Sequence, residues 1–298
     1  MPGWSCLVVP LLGWAVEFAL PQKKLCSPPM LRPQAYGRAF GFERLMDTVG
    51  AIAGPLTALW LLKVTHNSYR TVFLWTLLPG MIAVACFWFL VRERPMERRQ
   101  KQSFLSGLRN LPTTYRKFLF AVSIFGTGDY SHTLLILFAT RMLAPAQGMA
   151  RATSLAVGLY TLHNVFSAGS SYLSGWISDH LPHRKFILAA GYALAGVTAI
   201  LLMAGPTSFL PLAFIFILAG LYVGTEAALE DSVAAELIPK EQHGMAFGTL
   251  AAVNAAGDFL SSLLVGFLWS TVSVKAAFAL PAVLSFLGAF LILRLREQ

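Results

Sequence analysis

Charge is what this sequence has least of. Only 12% of its 298 residues are Asp, Glu, Lys or Arg, while 56% are hydrophobic. A soluble domain carries about 25% charge, so this chain lacks the polar surface of a water-covered globule. Cysteine is scarce too. Cys6, Cys26 and Cys86 show neither disulfide nor metal spacing and read as small apolar packing residues. The N-terminus lacks the basic start of a secretory signal. There is no nucleotide-binding loop, metal cluster or nucleophile–base arrangement. Ser170 and Ser171 stand near His163 in sequence, but nothing completes a hydrolytic triad. Neither an enzyme, nor a cofactor, nor a bound metal is expected.

What is present is long apolar runs. Windows 71–91, 186–206, 207–225 and 276–293 contain no charged side chain. Each is long enough to cross a ~30 Å hydrocarbon core as a helix rising 1.5 Å per residue. The expected fold class is an all-α polytopic membrane protein in contact with the lipid bilayer. Nine apolar segments are read, at roughly 3–20, 45–63, 71–91, 118–140, 152–177, 186–204, 208–229, 245–269 and 274–293. The first is the weakest, with two prolines and Glu17.

Lys and Arg then set the orientation. One set of alternate connections holds Lys23, Lys24, Arg32, Arg38, Arg44, the eight basic residues of 92–117, Arg184, Lys185, Lys240, Arg294 and Arg296. The other set holds only Lys63, Arg70, Arg141, Arg151 and Lys275. The net charge of +9 is therefore a topology signal, and no nucleic-acid partner is expected. The C-terminus is expected in the cytoplasm and, with nine spans, the N-terminus outside. The basic connection 92–117 reads as a central cytoplasmic loop with a short amphipathic helix. It separates an incomplete N-terminal bundle, 1–91, in which 1–32 are doubtful, from a six-helix bundle, 118–298.

A phrase occurs twice. "GRAFG" begins at Gly37 and "GMAFG" at Gly244, 207 residues later. The register holds over eighteen residues: Gly37, Ala39, Phe40, Gly41 and Gly50 align with Gly244, Ala246, Phe247, Gly248 and Gly257. A duplicated bundle with a period of six helices follows.

Together with "GWISDHLPHRK" (175–185) and "GAIAGP" (50–55), this pattern resembles the major facilitator superfamily of secondary transporters, in particular its bacterial efflux-type members. The resemblance covers about 33–298. It implies two pseudo-two-fold six-helix bundles and a monomer, with the oligomeric state otherwise open. Gly175, Asp179, Arg184 and Lys185 match the family's cytoplasmic-loop signature, whereas His180 and Pro182 depart from it. Placing Gly50, Gly54 and Pro55 on the family's fifth helix makes the nine segments its helices four to twelve. The first three are then missing, and a truncated, mis-started or frameshifted chain with little transport of its own is the expectation.

The resemblance implies that Asp179 docks on the helix start at Gly37 and Gly41, and that Arg184 or Lys185 pairs with Glu230 or Asp231. That latch would close the inner gate. Gly50 and Gly54 form a small face for close helix approach, and Pro55 a bend. Polar residues inside spans are candidates for function. Asp129 and His132, at i and i+3, would share a helix face and handle a proton. His163 and Asn164, and the pair Asn254 and Asp258, would line the cavity, with Tyr160 and Tyr222 as possible stacking surfaces. The function read from this is secondary transport, with proton-coupled export of a small amphipathic or cationic molecule across a bacterial inner membrane. The alternative is a non-transporting remnant or membrane interaction protein.

Overall fold

The computed structural model describes residues 35–65, 69–90, 111–181, 183–239 and 242–295. The segment read at 3–20 and most of the basic loop lie outside them. The described residues form nine α-helices: α1 Tyr36–Val64, α2 Tyr69–Leu90, α3 Thr113–Gly126, α4 His132–Gln147, α5 Met149–His180, α6 Arg184–Met203, α7 Phe209–Leu237, α8 His243–Thr271 and α9 Val274–Leu293. No strand occurs among them. Four of these helices, α6 to α9, are long and apolar enough to cross a membrane.

Eight of the nine apolar segments thus fall on helices, and one of them is divided. The run at 118–140 becomes α3 and α4, separated by residues 127–131. Its sequence explains the break. Gly126, Thr127 and Gly128 weaken the helix, and Ser131 caps the next one, its Oγ accepting the N–H of Thr133 at 3.3 Å. α3 also starts at Thr113, inside the stretch read as loop. Gly148, at φ 75°, is the turn that ends α4 and starts α5.

Small residues hold the helices together. A Cβ on Gly175 of α5 would lie 2.1 Å from the carbonyl oxygen of Gly37, and one on Gly37 2.2 Å from that of Gly175. A Cβ on Gly41 would lie 2.4 Å from the carbonyl oxygen of Ser171. The two backbones therefore touch, and Ser171 Oγ donates to the Gly41 carbonyl at 3.3 Å. Along α5 the other side, Gly220 and Gly224 of α7 approach the carbonyls of His163 and Ser167 in the same manner. Gly126 of α3 meets Gly257 of α8. Between lipid-soluble helices, such close backbone approach replaces the hydrophobic driving force available in water.

Candidate functional site

The site is built where α1 meets the helices that follow the central loop. At the N-terminal end of α1 the first backbone N–H groups have no intrahelical partner and carry partial positive charge. The carboxylate of Asp179, at the end of α5, accepts the N–H of Gly37 at 2.9 Å and that of Arg38 at 3.0 Å. Arg38 Nε adds a bond at 3.0 Å, and Arg184 Nη2 one at 2.9 Å. The Asp179 side chain is 1% exposed and that of Arg184 8%. A buried carboxylate is tolerable when every lone pair is engaged, and here four donors converge on it.

Asp179 thus sits against "GRAFG", with the N–H groups of Gly37 and Arg38 on its carboxylate. Glu230, one of the outer partners expected for Arg184 or Lys185, is engaged elsewhere. Arg184 Nε faces Glu236 Oε2 at 3.7 Å, six residues beyond Glu230, and Lys185 Nζ donates to the Leu295 carbonyl at 2.9 Å. Glu230 points inward instead. It accepts the Asn254 amide at 2.7 Å and the hydroxyl of Tyr192. Helical geometry gives the reason: Glu230 and Glu236 are about 600° apart around α7 at 100° per residue, so they face different sides.

The second copy of the phrase is placed differently from the first. Apart from chain neighbours and the helix's own backbone, no atom among the described residues comes within 4 Å of a Cβ built on Gly244 or Gly248. The two copies instead meet each other, the rings of Phe40 and Phe247 lying 5.7 Å apart. Outside its own helix backbone and chain neighbours, Gly54 likewise has no neighbour within 4 Å among the described residues, so no close approach is made at Gly54 there. α1 continues through Pro55 to Val64, and the Pro55 side chain lies outside the described residues.

Past this aromatic pair is the cavity. One compartment, about 330 Å³, is lined by Phe40, Arg44, Asp231, Phe247, Asn254 and Asp258 among others. The adjoining one, about 190 Å³, is lined by Arg44, Asp129, Glu226, Glu230, Asp231, Asn254 and Asp258 together with small residues. The four residues Arg44, Asp231, Asn254 and Asp258 belong to both. Asn254 and Asp258 share one face of α8, as their i, i+4 spacing predicts.

Asp129 and His132 are separated rather than paired. The helix break turns Asp129 into the cavity, where Tyr222 Oη donates to its carboxylate at 3.2 Å and Ser261 Oγ to its backbone carbonyl. His132 opens α4 and joins an aromatic group on α5: its ring centroid lies 4.9 Å from that of His163, which stacks on Tyr160 at 5.6 Å and 15°. His163 is buried, and the neighbouring Asn164 is partly so. An i, i+3 pair shares a face only on an unbroken helix, and residues 127–131 are not helical. Tyr222 is thereby a hydrogen-bond donor within the protein, and Tyr160 a stacking partner of an imidazole.

Two residues were missed. Arg44 had been counted only as a topology charge. Its signal was its spacing: it stands seven residues after Gly37 and three after Gly41, on the face of α1 that packs against α5. Glu226 lines the smaller compartment, and its i, i+4 spacing from Glu230 was the signal that could have found it.

Comparison with known proteins places this geometry. The family model described as Major Facilitator Superfamily matches residues 130–298. The chain belongs to that superfamily. It is 28% identical over 276 residues to an uncharacterized MFS-type transporter of Methanocaldococcus jannaschii, covering 92% of this chain and 67% of the relative. It is 28% identical over 236 residues to an uncharacterized transporter of Schizosaccharomyces pombe, covering 75% of this chain and 46% of the relative. Among solved structures, it resembles the Escherichia coli fucose:proton symporter FucP with a TM-score of 0.66 at 14% identity, covering 99% of this chain and 83% of that one. The human organic anion transporter MFSD10 gives 0.65 at 16% identity, covering 97% and 68%. At such identities the likeness concerns the fold. The chain is an integral membrane protein of transporter type, and its all-α polytopic architecture is that of the superfamily.

Proposed function

We propose that this chain works in proton-coupled export of a small cationic molecule. The observation that carries the reading is the composition of the smaller compartment: among the described residues, Asp129, Glu226, Glu230, Asp231 and Asp258 line it with one cation, Arg44. In a medium of low dielectric such a surface attracts positive charge strongly and repels anions. Protons and a cationic substrate would compete for the same carboxylates, which is what exchange requires. The two solved relatives carry different cargo by name, so the fold does not choose between cargoes and the lining has to.

The distribution of Lys and Arg supports a cytoplasmic C-terminus, and with it an inner position for the Asp179 dock, as in a bacterial inner membrane. In this reading Asp179 fastens α1 to α5 at the inner face while the cavity is reached from outside. Rocking of the bundle containing α1 and α2 against that of α3 to α9 would release it.

The test is uptake of a cationic dye by proteoliposomes containing the protein, with an acid interior. Gradient-driven uptake that Asp129→Asn abolishes is the expected result. Uptake that persists unchanged removes Asp129 from coupling. Uptake that never occurs favours the alternative, a non-transporting membrane protein.

A further inference from the structure

We infer that Arg44 is a tethered counter-cation with which the transported cation competes, and so a specificity-determining residue of the cavity. The inference rests on the cation reading above and adds the residue that regulates it.

Three observations lead to it. First, Arg44 is delivered by the glycine crossing. Gly37 and Gly41 press the α1 backbone onto α5, and Arg44 follows on the same face, about 12 Å from the helix start at 1.5 Å per residue. Secondly, it lines both compartments of the cavity, beside Asp231, Asn254 and Asp258 in each. Thirdly, the carboxylates facing it come from other elements: Asp129 from the link between α3 and α4, Glu226, Glu230 and Asp231 from α7, and Asp258 from α8. Glu43, beside Arg44 on α1, lines the larger compartment as well, and the other carboxylates are on the elements across the crossing.

An arginine in a membrane helix is costly and stays charged at any accessible pH. That permanence is useful here. When no cargo is bound, the carboxylates still have a cation. When cargo arrives, it has to displace the guanidinium. The displaced Arg44 is part of a helix whose first turn is fastened by Asp179. Occupancy of the cavity is thereby communicated to the dock through eight residues of rigid helix.

The experiment is equilibrium binding of tetraphenylphosphonium to the purified protein, to Arg44→Met and Arg44→Gln, to Arg44→Lys, and to Glu226→Gln. Removing the competitor should tighten binding by about 10-fold in the neutral variants, a factor within the range that charge coupling across a site supplies. The Arg44→Lys variant should restore weaker binding. Structural damage lowers affinity, so only loss of a competitor gives the increase. Two neutral variants guard against one that does not fold. If the parent binds, loses binding in Glu226→Gln, and yet neither neutral variant binds more tightly, the cavity takes cations and the role of Arg44 is refuted. If neither the parent nor the neutral variants bind, the cation reading fails and this inference with it.

Discussion

The rings of Phe40 and Phe247 lie 5.7 Å apart and tilted by 51°, so the two copies of the repeated phrase touch through their shared aromatic residue. Each ring is buried, and each is backed by a neighbour one turn away: Tyr36 at 6.4 Å from Phe40, His243 at 5.7 Å from Phe247. The pair forms one wall of the larger compartment.

Phe247→Ala should therefore open that wall as well as destabilise the protein. Truncating a buried Phe costs roughly 3–5 kcal/mol, and the removed ring stands next to the carboxylates. A cysteine placed at Asn254 should react faster with a water-soluble thiol reagent in the Phe247→Ala background than in the parent. Equal rates would show that the aromatic pair does not limit access.

The glycines of α1 should separate into two classes. Gly37→Ala places a methyl group 2.2 Å from the Gly175 carbonyl oxygen, which the backbone can relieve only by moving α1 off α5. Overpacking of this sort costs about 1–3 kcal/mol. Gly54→Ala meets nothing within 4 Å beyond its own helix backbone and chain neighbours among the described residues, so it should leave the α1–α5 crossing intact and cost less than Gly37→Ala. Unfolding in mixed micelles measures both. Equal losses at the two positions would contradict the crossing.

These contrasts also show what the sequence could convey. The apolar runs revealed the helices because a bilayer leaves the backbone no other solution. The Gly37–Gly41 phrase and Asp179 could be joined only through the resemblance of 175–185 to the superfamily's loop signature. The interior charges were harder. Asp129 and His132 look like a pair only if residues 127–131 are helical, and one short polar break re-aims both. Glu230, Asp231 and Glu236 occupy two turns of α7, and which of them meets Arg184 depends on a rotation that apolar periodicity does not report when a helix is buried on several sides. Arg44 was hidden because a basic residue near a helix end also satisfies the topology rule.

Asp179→Asn should loosen the start of α1 without a change of shape. The amide keeps the size of the carboxylate but loses the charge that engages Arg184, 2.9 Å away and largely buried. Leaving a charged group short of its partner costs about 1–3 kcal/mol or more. The local reading is amide exchange: the N–H groups of Gly37 and Arg38, which now donate to Asp179, should lose protection, while those in the middle of α5 should not. Retained protection at Gly37 and Arg38 would mean that the helix start is held by something else.

Glu230 gives a prediction on energetics alone. Its carboxylate, 3% exposed, is held by two donors from different helices: Asn254 on α8 and Tyr192 on α6. Tyr192 is itself fixed by stacking on Phe125 of α3, with ring centroids 3.7 Å apart and planes 4° from parallel. Tyr192→Phe preserves that stack and removes only the hydroxyl. Asn254→Ala removes the other donor. Each should cost about 1–3 kcal/mol, because a buried acceptor loses a partner that membrane-embedded surroundings do not replace. The double variant should depart from additivity by at least about 0.5 kcal/mol, since both donors serve one carboxylate. With Glu230→Gln as the background, the coupling should shrink, because the acceptor is then neutral and carries a donor of its own. Strict additivity in the parent background would show that the two donors act independently, and that Glu230 does not join α6, α7 and α8.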